Sequence, residues 1–353
     1  MKAGIYDPYL DTLGGGERYT LTFANDLVRM GYEVDVFWHD KSIGEKIKER
    51  FGFSVDRLNF ADNLFAKDKK TKQSSMRSYD LIFFVSDGSI PFLGAKKNIL
   101  HFQVPFHGVG GKSLLNRLKL RKINLIVCNS FFTKKVIDKE YGVRSEVLYP
   151  PVDVESFKSL KKENLIINVG RFTNLMHSKR QDFLVKSFIK MCDEKKEKIK
   201  GWKLVLIGAD KEGKEYVSDL EKTAKGYPIE ILTNPYFDDL KQLCGKAKIF
   251  WTAAGFGFDE QKQPEKMEHF GITTVEAMAS GCVPVAINKG GQKEIVEDGK
   301  NGFLWEEEKQ LIDKTLRLME NEDEWLKLSK EAQKRSLIFS KKGFYERIKK
   351  LVG

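Results

Sequence analysis

Few cysteines are present in this chain, and their spacing fits neither a zinc site nor a disulfide framework. The thiols are scattered, with no Cys-x-x-Cys pair among them: Cys128, Cys192, Cys244 and Cys282. Such usage is typical of a protein from a reduced, cytoplasmic setting. A DxD triplet and a His/Asp cluster are also missing from the sequence, so we expect no bound metal.

Long apolar runs are missing as well. No stretch approaches the roughly 18 apolar residues of a membrane span, and residues 1–8 lack the apolar core of a signal peptide. We therefore expect membrane contact to be peripheral, at the inner face of the membrane. The chain is rich in positive charge instead, with a formal net charge of +11. This favours anionic partners such as nucleotides or anionic lipid. Nucleic acid is not an expected partner, because no signature of a nucleic-acid-binding fold is present.

The length and the hydrophobic pattern predict two α/β domains. A chain of 353 residues exceeds what one core usually supports. Short apolar runs alternate with longer amphipathic segments, which predicts parallel sheets with helical crossovers. The predicted strands cover 2–6, 33–38, 81–85, 98–102, 125–128 and 146–149 in the first half, and 165–169, 203–207, 229–232, 249–251, 283–287 and 302–305 in the second.

Two adjacent prolines mark the predicted domain boundary. Pro150 and Pro151 cannot continue a central strand or a helix interior, so we place the first domain at 1–150 and the second at 151–337. The last amphipathic helix, 338–353, is expected to join the first domain. Each domain should be doubly wound and Rossmann-like, with ligands beyond the carboxyl ends of its strands.

The loop after the first predicted strand is rich in glycine. Gly14, Gly15 and Gly16 precede an amphipathic helix, and three glycines let an anion approach backbone N–H groups at a helix start. The dinucleotide fingerprint GxGxxG is not met, because Tyr19 stands at its last glycine. A flexible turn is the alternative interpretation.

Cations follow a strand of the second half. Arg171 comes directly after the predicted strand 165–169, and Lys179 and Arg180 open the next helix. A bound diphosphate needs such charges, and a planar guanidinium can grip two oxygens. Solvated surface charges are the alternative.

Two acids eight residues apart flank a predicted helix start. Gly271 marks a tight backbone between Glu268 and Glu276, and Thr273 and Thr274 are plausible capping residues. Glu276 stands in an apolar run, so its carboxylate needs partners such as ribose hydroxyls. A metal-binding acid pair and two solvated acids are the alternatives.

Two histidines are candidates to face a ligand. His101 lies at the carboxyl end of the predicted strand 98–102, and His107 follows in a glycine-rich loop. A purely structural histidine is the alternative for both. Ser130 and Thr133 are better interpreted as a helix cap.

Two basic segments are candidates for an anionic membrane surface. Residues 67–77 carry five basic side chains, and residues 112–122 interleave basic side chains with leucines in a helical pattern. A basic amphipathic helix can lie on anionic lipid. An ordinary domain surface is the alternative.

Four motifs together resemble the retaining glycosyltransferases of family 4, which have the GT-B fold. Residues 14–18 resemble the donor loop, residues 129–133 and 149–153 the connecting motifs, and residues 268–276 the EX7E signature. The similarity spans nearly the whole chain. The amino-acid sequence around Glu268 is most similar to that of the ALG11-like mannosyltransferase branch.

The resemblance implies two Rossmann-like domains whose parallel sheets face each other across a cleft. It implies that Arg171 and Lys179 neutralise the donor diphosphate, that Glu268 holds the sugar, and that His101 lies beside the reacting sugar. The implied donor-binding residues are Gly15, Gly16, Phe270, Gly271, Ile272, Thr273 and Glu276. The chain departs from the family pattern by extra residues between Arg171 and Lys179, so Arg180 could take the role of the lysine.

The implied activity is retaining transfer of a hexose, with mannose as the first choice. The donor would be a nucleotide-diphosphate sugar and the acceptor a lipid-linked or cell-surface glycan, with no metal or other cofactor. A nucleotide-sugar epimerase of the same fold is one alternative. A non-catalytic protein that binds sugar nucleotides or anionic lipid is the other.

Overall fold

The computed structural model describes residues 1–173, 178–211 and 213–353. The described chain forms two compact units: unit 1 comprises Met1–Pro151 with Phe344–Gly353, and unit 2 comprises Val152–Gly343. The predicted boundary after residue 150 lies one residue from this division. The extra residues noted between Arg171 and Lys179 include 174–177, which lie outside the described ranges.

Unit 1 is a parallel sheet flanked by helices. Its strands are β1 (Lys2–Tyr6), β2 (Glu33–Phe37), β3 (Leu58–Ala61), β4 (Leu81–Val85), β5 (Lys97–Phe102), β6 (Leu125–Cys128) and β7 (Glu146–Val147). Its helices are α1 (Gly15–Arg29), α2 (Ile43–Phe51), α3 (Lys69–Met76), α4 (Leu114–Leu120) and α5 (Phe131–Tyr141), with 3-10 turns at Leu10–Thr12 and Leu64–Ala66. The strand order is β3-β2-β1-β4-β5-β6-β7.

Unit 2 repeats this architecture. Its strands are β8 (Glu163–Val169), β9 (Lys203–Gly208), β10 (Ile229–Thr233), β11 (Ala247–Thr252), β12 (Val283–Ile287) and β13 (Phe303–Trp305). Its helices are α6 (Gln181–Glu194), α7 (Lys196–Ile199), α8 (Lys214–Ala224), α9 (Phe237–Lys246), α10 (Ile272–Ala279), α11 (Gln292–Ile295), α12 (Glu308–Glu320), α13 (Glu322–Ser336) and the start of α14 (Lys341–Val352), with 3-10 turns at Pro264–Lys266 and Leu337–Phe339. The strand order is β10-β9-β8-β11-β12-β13.

Helices on both faces bury the central strands completely. All five residues of β4 and all five of β12 are buried, as expected for parallel strands covered on both sides. The C-terminal helix α14 adds Phe344, Ile348 and Val352 to the apolar core of unit 1. Within the described ranges, no helix combines the length and apolar character that crossing a bilayer requires.

All twelve predicted strands are confirmed, and the sequence pattern missed one of the strands in the described ranges. The missed strand β3 is four residues long and lies at the edge of the first sheet, where only Leu58 is buried. An edge strand with one buried side chain produces no alternation of apolar and polar residues to detect.

The strand order reverses in each sheet between two neighbouring strands. In unit 1 the reversal lies between β1 and β4, and in unit 2 between β8 and β11. Connections leave such a pair on opposite sides of the sheet, so a crevice opens beyond the carboxyl ends of the two strands. The glycine loop follows β1, while the cations and the two acids follow β8 and β11.

Candidate functional site

In unit 2, the backbone around Arg171 is fixed while its side chain is exposed. The N–H of Gly170 donates to the carbonyl of Ile207 at 2.9 Å, and the N–H of Phe172 donates to the carbonyl of Ala209 at 2.8 Å. These bonds extend the pairing of β8 with β9 beyond the end of β8. The guanidinium is therefore carried on a rigid segment at the carboxyl edge of the sheet.

Lys179 and Glu268 meet in the crevice between β8 and β11. Lys179 Nζ lies 2.6 Å from Glu268 Oε2, and the two side chains are only 22% and 18% exposed. The lysine stem crosses Gly170 so closely that a Cβ there would lie 2.6 Å from Lys179 Cγ. The structure thus brings together a predicted diphosphate-binding cation and the first acid of the predicted signature, 89 residues apart in sequence.

Arg180 makes different contacts from Lys179. Its guanidinium binds both carboxylate oxygens of Asp182, at 3.1 and 3.3 Å, and also donates to the carbonyl of Phe256. Its backbone is left-handed, with a φ of 54°. Lys179 rather than Arg180 is the cation that contacts Glu268.

Helix α10 begins without a side-chain cap from the described residues, which corrects the expectation for Thr273 and Thr274. Its N-cap is Gly271, at a φ of 120°, so the helix begins at Ile272. The hydroxyl of Thr274 donates to Gln292 Oε1 at 3.0 Å instead. Thr273 and Ile272 are half-buried in the first turn of the helix.

The second acid lies inside the apolar helix. Glu276 is 6% exposed and stands between the fully buried Val275 and Ala277. Phe270, before the helix, packs its ring against Phe339 at 5.3 Å between centroids. Among the described residues, no group of three or more His, Cys, Asp or Glu side chains is placed to hold a metal ion.

A double glycine after β12 supports the segment around Glu268. The N–H of Gly291 donates to the carbonyl of Glu268 at 2.8 Å. A Cβ on Gly290 would lie 2.3 Å from that carbonyl oxygen, and a Cβ on Gly291 would lie 2.5 Å from Phe270 Cα. Only glycine permits this close approach of two backbones.

The loop 255–266, whose purpose the sequence does not reveal, is tied to the same double glycine. Lys289 donates to the carbonyl of Phe258 at 2.6 Å. Glu260 accepts a hydrogen bond from the N–H of Gly290 at 3.0 Å. The loop therefore connects the carboxyl end of β11 to the segment that supports Glu268.

In unit 1, the glycine loop is a helix start and not a flexible turn. Gly14 is the N-cap of α1, and its N–H donates to Glu17 Oε2 at 2.6 Å. The amide of Gln103 donates to the carbonyl of Gly16 at 3.2 Å, and a Cβ on Gly16 would lie 1.9 Å from Gln103 Oε1. A side chain at residue 16 would therefore displace the Gln103 amide, while Gly15 is exposed.

The motif at 129–133 supports Gln103, the residue that lies against Gly16. Ser130 Oγ accepts a hydrogen bond from the N–H of Thr133 at 3.0 Å, which confirms the predicted helix cap. The Asn129 side chain donates to the carbonyl of Gln103 at 2.9 Å. Gln103 is therefore held by its backbone as well as by its contact with Gly16.

Asp7 is a buried acid beside the glycine loop. It accepts hydrogen bonds from the hydroxyl of Thr20 at 2.7 Å and from the N–H of Tyr9 at 3.0 Å. Burial, and then the charge of Glu17, raise the pKa of Asp7 to about 7. Its protonation state therefore changes near neutral pH.

His101, a candidate to face a ligand, has no exposed surface in the structure. The ring is fully buried, stacked on Tyr19 at 4.3 Å and Phe83 at 5.3 Å, and Nδ1 lies 3.1 Å from the carbonyl of Val127. Burial lowers the pKa of His101 to about 3, so the ring is neutral. His107 is exposed. The catalytic role of His101 stays a prediction, and a direct sugar contact would require its ring to be uncovered.

The two basic segments differ in what they expose. Helix α4, in the segment 112–122, has no buried residue, and its Leu114, Leu115 and Leu118 are 79%, 56% and 54% exposed. In the segment 67–77, which is fully described, no large apolar side chain is exposed. Of these two segments, 112–122 is therefore the one with exposed apolar side chains among its basic residues.

The chain matches two family models that together span most of its length. Residues 152–335 match the model of glycosyl transferases group 1, and residues 13–156 match that of glycosyltransferase family 4. A GDP-Man:Man(3)GlcNAc(2)-PP-Dol alpha-1,2-mannosyltransferase of Dictyostelium discoideum is 26% identical over 65% of this chain and 46% of its own. An uncharacterised glycosyltransferase of Haemophilus influenzae is 25% identical over 87% of this chain and 86% of its own.

The chain spans about half the length of the mannosyltransferases that it matches. Among solved structures, Anabaena HepE in complex with UDP is similar to it with a TM-score of 0.75 and 17% identity, over 100% of this chain and 99% of the other. That likeness shows the fold, which is GT-B with two Rossmann-like domains. The chain belongs to the glycosyl transferases group 1 family and is a family 4 GT-B glycosyltransferase.

Proposed function

We propose that this protein transfers a hexose, with mannose as the first choice, from a nucleotide-diphosphate sugar to a lipid-linked glycan. The transfer retains the anomeric configuration and requires no metal. The observation that carries the proposal is the contact of Lys179 Nζ with Glu268 Oε2 at 2.6 Å, beside Arg171, where the strand order of unit 2 reverses.

The positive charge of Arg171 and Lys179 suits a departing diphosphate. As the glycosidic bond of the donor breaks, negative charge grows on the leaving phosphate and positive charge on the sugar ring. Arg171, on its rigid segment, and Lys179 supply fixed cations for the phosphate, and preorganised groups of this kind are usually the largest contribution to catalysis. In this proposal the two cations supply the charge, so no metal ion is needed.

The segment beginning at Glu268 suits the sugar and the ribose. The Glu268 carboxylate is partly exposed and already contacts Lys179, so it can bind sugar hydroxyls beside the diphosphate. The first turn of α10, from Gly271 to Thr273, presents backbone N–H groups that favour anions and hydroxyls. Glu276, which is 6% exposed on the same helix, is assigned in this proposal to the ribose hydroxyls.

The names of the relatives favour mannose and a lipid-linked acceptor. The Dictyostelium relative is named for GDP-mannose as donor and a dolichyl-diphosphate glycan as acceptor. HepE was crystallised with UDP instead, so the nucleotide base of the donor requires a direct test.

An acceptor in a membrane calls for a membrane-facing surface, and α4 is the best candidate. Its exposed leucines can enter the bilayer interface while neighbouring basic side chains contact anionic headgroups, each adding about 1 kcal/mol near the lipid. The proposal therefore places the enzyme in the cytoplasm, peripheral to the inner face of the membrane. The segment 67–77 contributes charge only.

A thermal-shift panel of GDP- and UDP-sugars tests the donor part of the proposal. A ligand that binds only the folded protein, present at 100 times its Kd, adds about 2.7 kcal/mol to the free energy of unfolding. We expect GDP-mannose to raise Tm in the wild type, and Arg171→Ala to remove most of that shift. Lys186→Ala changes an exposed lysine on α6 and should leave the shift intact. No shift with any sugar nucleotide would contradict the proposal.

A further inference from the structure

We propose that Gln181 is a positioning residue for Arg171. Its side-chain amide fixes the backbone that carries the guanidinium, and through it the affinity for the diphosphate. The inference rests on the proposed function, because it takes a nucleoside diphosphate as the ligand of Arg171.

The amide of Gln181 binds the backbone on both sides of the Arg171 Cα. Its Nε2 donates to the carbonyl of Gly170 at 3.3 Å and to the carbonyl of Arg171 at 3.2 Å. The residue is 0% exposed, so water does not compete for these bonds. A primary amide has two N–H donors, and here each one has a carbonyl acceptor.

These two bonds add the carbonyls to the hydrogen bonding of the turn after β8. Pairing with β9 already uses the N–H groups of Gly170 and Phe172. That pairing holds the amide side of the segment, and among the described residues no backbone N–H donates to the carbonyls of residues 170 and 171. Gln181 holds them, so the orientation of both peptide planes at Arg171 depends on it.

A tyrosine on α8 lies against the oxygen of the Gln181 amide. The hydroxyl of Tyr216 is 3.4 Å from Gln181 Oε1 and 3.2 Å from Asp182 Oδ1, and its single proton is shared between these two acceptors. The same hydroxyl accepts a hydrogen bond from the N–H of Asp182 at 2.9 Å, so its own place is fixed by the first turn of α6. With Oε1 facing Tyr216, the NH₂ group faces the two carbonyls.

The same turn of chain carries the second cation. Lys179 precedes Gln181 by two residues and reaches Glu268, while Gln181 reaches back to Arg171. Gln181 therefore links the start of α6 to the end of β8 and sets the spacing of the two cations that would share one diphosphate.

Hydrogen exchange on the ligand-free protein tests the backbone part of the inference. In Gln181→Met, which keeps length and loses both donors, we expect the amides of Gly170 and Phe172 to exchange about fivefold faster. Gln333→Met is the matched control, because Gln333 also lies on a helix and its amide donates to one backbone carbonyl, that of Ala279, at 3.4 Å. Unchanged exchange at residues 170 and 172 in Gln181→Met would overturn the inference.

A double-mutant cycle with GDP as the probe tests the link to Arg171. Gln181→Met should weaken GDP binding about tenfold in the wild-type background and less than about twofold in Arg171→Ala. A merely structural role would weaken binding by the same factor in both backgrounds, and that result would overturn the inference.

UDP serves as the probe if it binds more tightly than GDP. If the folded wild-type protein binds neither nucleotide, the proposed function fails. The exchange measurement then still decides whether Gln181 positions this segment.

Discussion

Lys179 Nζ and Glu268 Oε2 lie 2.6 Å apart at the carboxyl edge of the second sheet. Lys179 belongs to the chain that follows β8, and Glu268 to the chain that follows β11. Each charge is a partner of the other, so neither is an unpaired charge in this partly buried place. In the proposed function, the ammonium group of Lys179 contacts the diphosphate oxygens and the Glu268 carboxylate contacts the sugar hydroxyls.

Replacing Lys179 should cost far more activity than replacing Arg180. We expect Lys179→Ala to lower kcat/KM by about 10² to 10³, the scale of one lost charge-stabilising donor. Arg180→Ala should lower it much less, because its guanidinium is engaged with Asp182 and the carbonyl of Phe256. Steady-state kinetics with the donor varied decides the question. The opposite ranking would mean that Arg180 performs the role assigned to Lys179.

A methyl group on Gly170 should displace the side chain of Lys179 without removing its positive charge. The Cβ of Gly170→Ala would lie 2.6 Å from Lys179 Cγ, so the stem of the lysine must move. We expect a fall in kcat/KM of about tenfold or more, because small misplacements of catalytic groups are costly. Gly44→Ala, on α2, is the control: its Cβ would meet its nearest neighbour at an ordinary 3.5 Å. Equal activity of the two variants would contradict the assigned role of the lysine stem.

The sequence reveals the charged part of the candidate site and not its neutral supports. Arg171, Lys179 and Glu268 stand out because charges at strand ends in a parallel sheet indicate ligand binding. Gln181 and Gln103 carry no such signal, since an amide in an α/β protein is usually a surface residue and its partners here are backbone carbonyls set by the fold.

The strand pattern also could not show which way His101 faces. In a half-exposed strand, alternation separates buried from exposed positions, but β5 is buried on both faces from Asn98 to Phe102. The sequence places the histidine at the correct strand end. Its burial against Tyr19 depends on a ring contributed by α1, which no local pattern predicts.

The stability of the protein should fall as pH rises through the titration of Asp7. Its pKa is raised from 3.8 to about 7 in the folded state, so the folded protein binds the proton more tightly than the unfolded chain does. Asp7 contributes fully to the free energy of unfolding below about pH 4. This contribution, at most about 4 kcal/mol, is lost as the pH rises from about 4 to 7.

Asp7→Asn imitates the protonated acid and should remove this dependence of stability on pH. We expect the variant to exceed the wild type in free energy of unfolding at pH 8 and to match it near pH 4, as measured by urea denaturation. Asp11→Asn changes an exposed acid in the same loop and should have little effect. A wild-type advantage at pH 8 would show that Asp7 is stabilised in its charged form.

The exposed leucines of α4 should control binding to anionic vesicles. Leu114→Ser, Leu115→Ser and Leu118→Ser together should lower partitioning onto phosphatidylserine-containing vesicles at least tenfold, because each removes apolar area from the interface. The matched control is the pair Leu337→Ser and Ile338→Ser, which are also exposed, at 60% and 54%, but belong to unit 2. Unchanged partitioning of the α4 variant would show that this helix does not contact the membrane.

The most direct test of the central claim is to incubate the wild-type protein with labelled GDP-mannose and a lipid-diphosphate glycan in the presence of EDTA. The product is analysed by chromatography and by NMR of the anomeric carbon, and UDP-hexoses are run in parallel. Our account predicts that the labelled sugar moves to the acceptor with its anomeric configuration retained and without added metal. Isomerised donor, donor recovered unchanged with every sugar nucleotide, an inverted product or a strict metal requirement would contradict it.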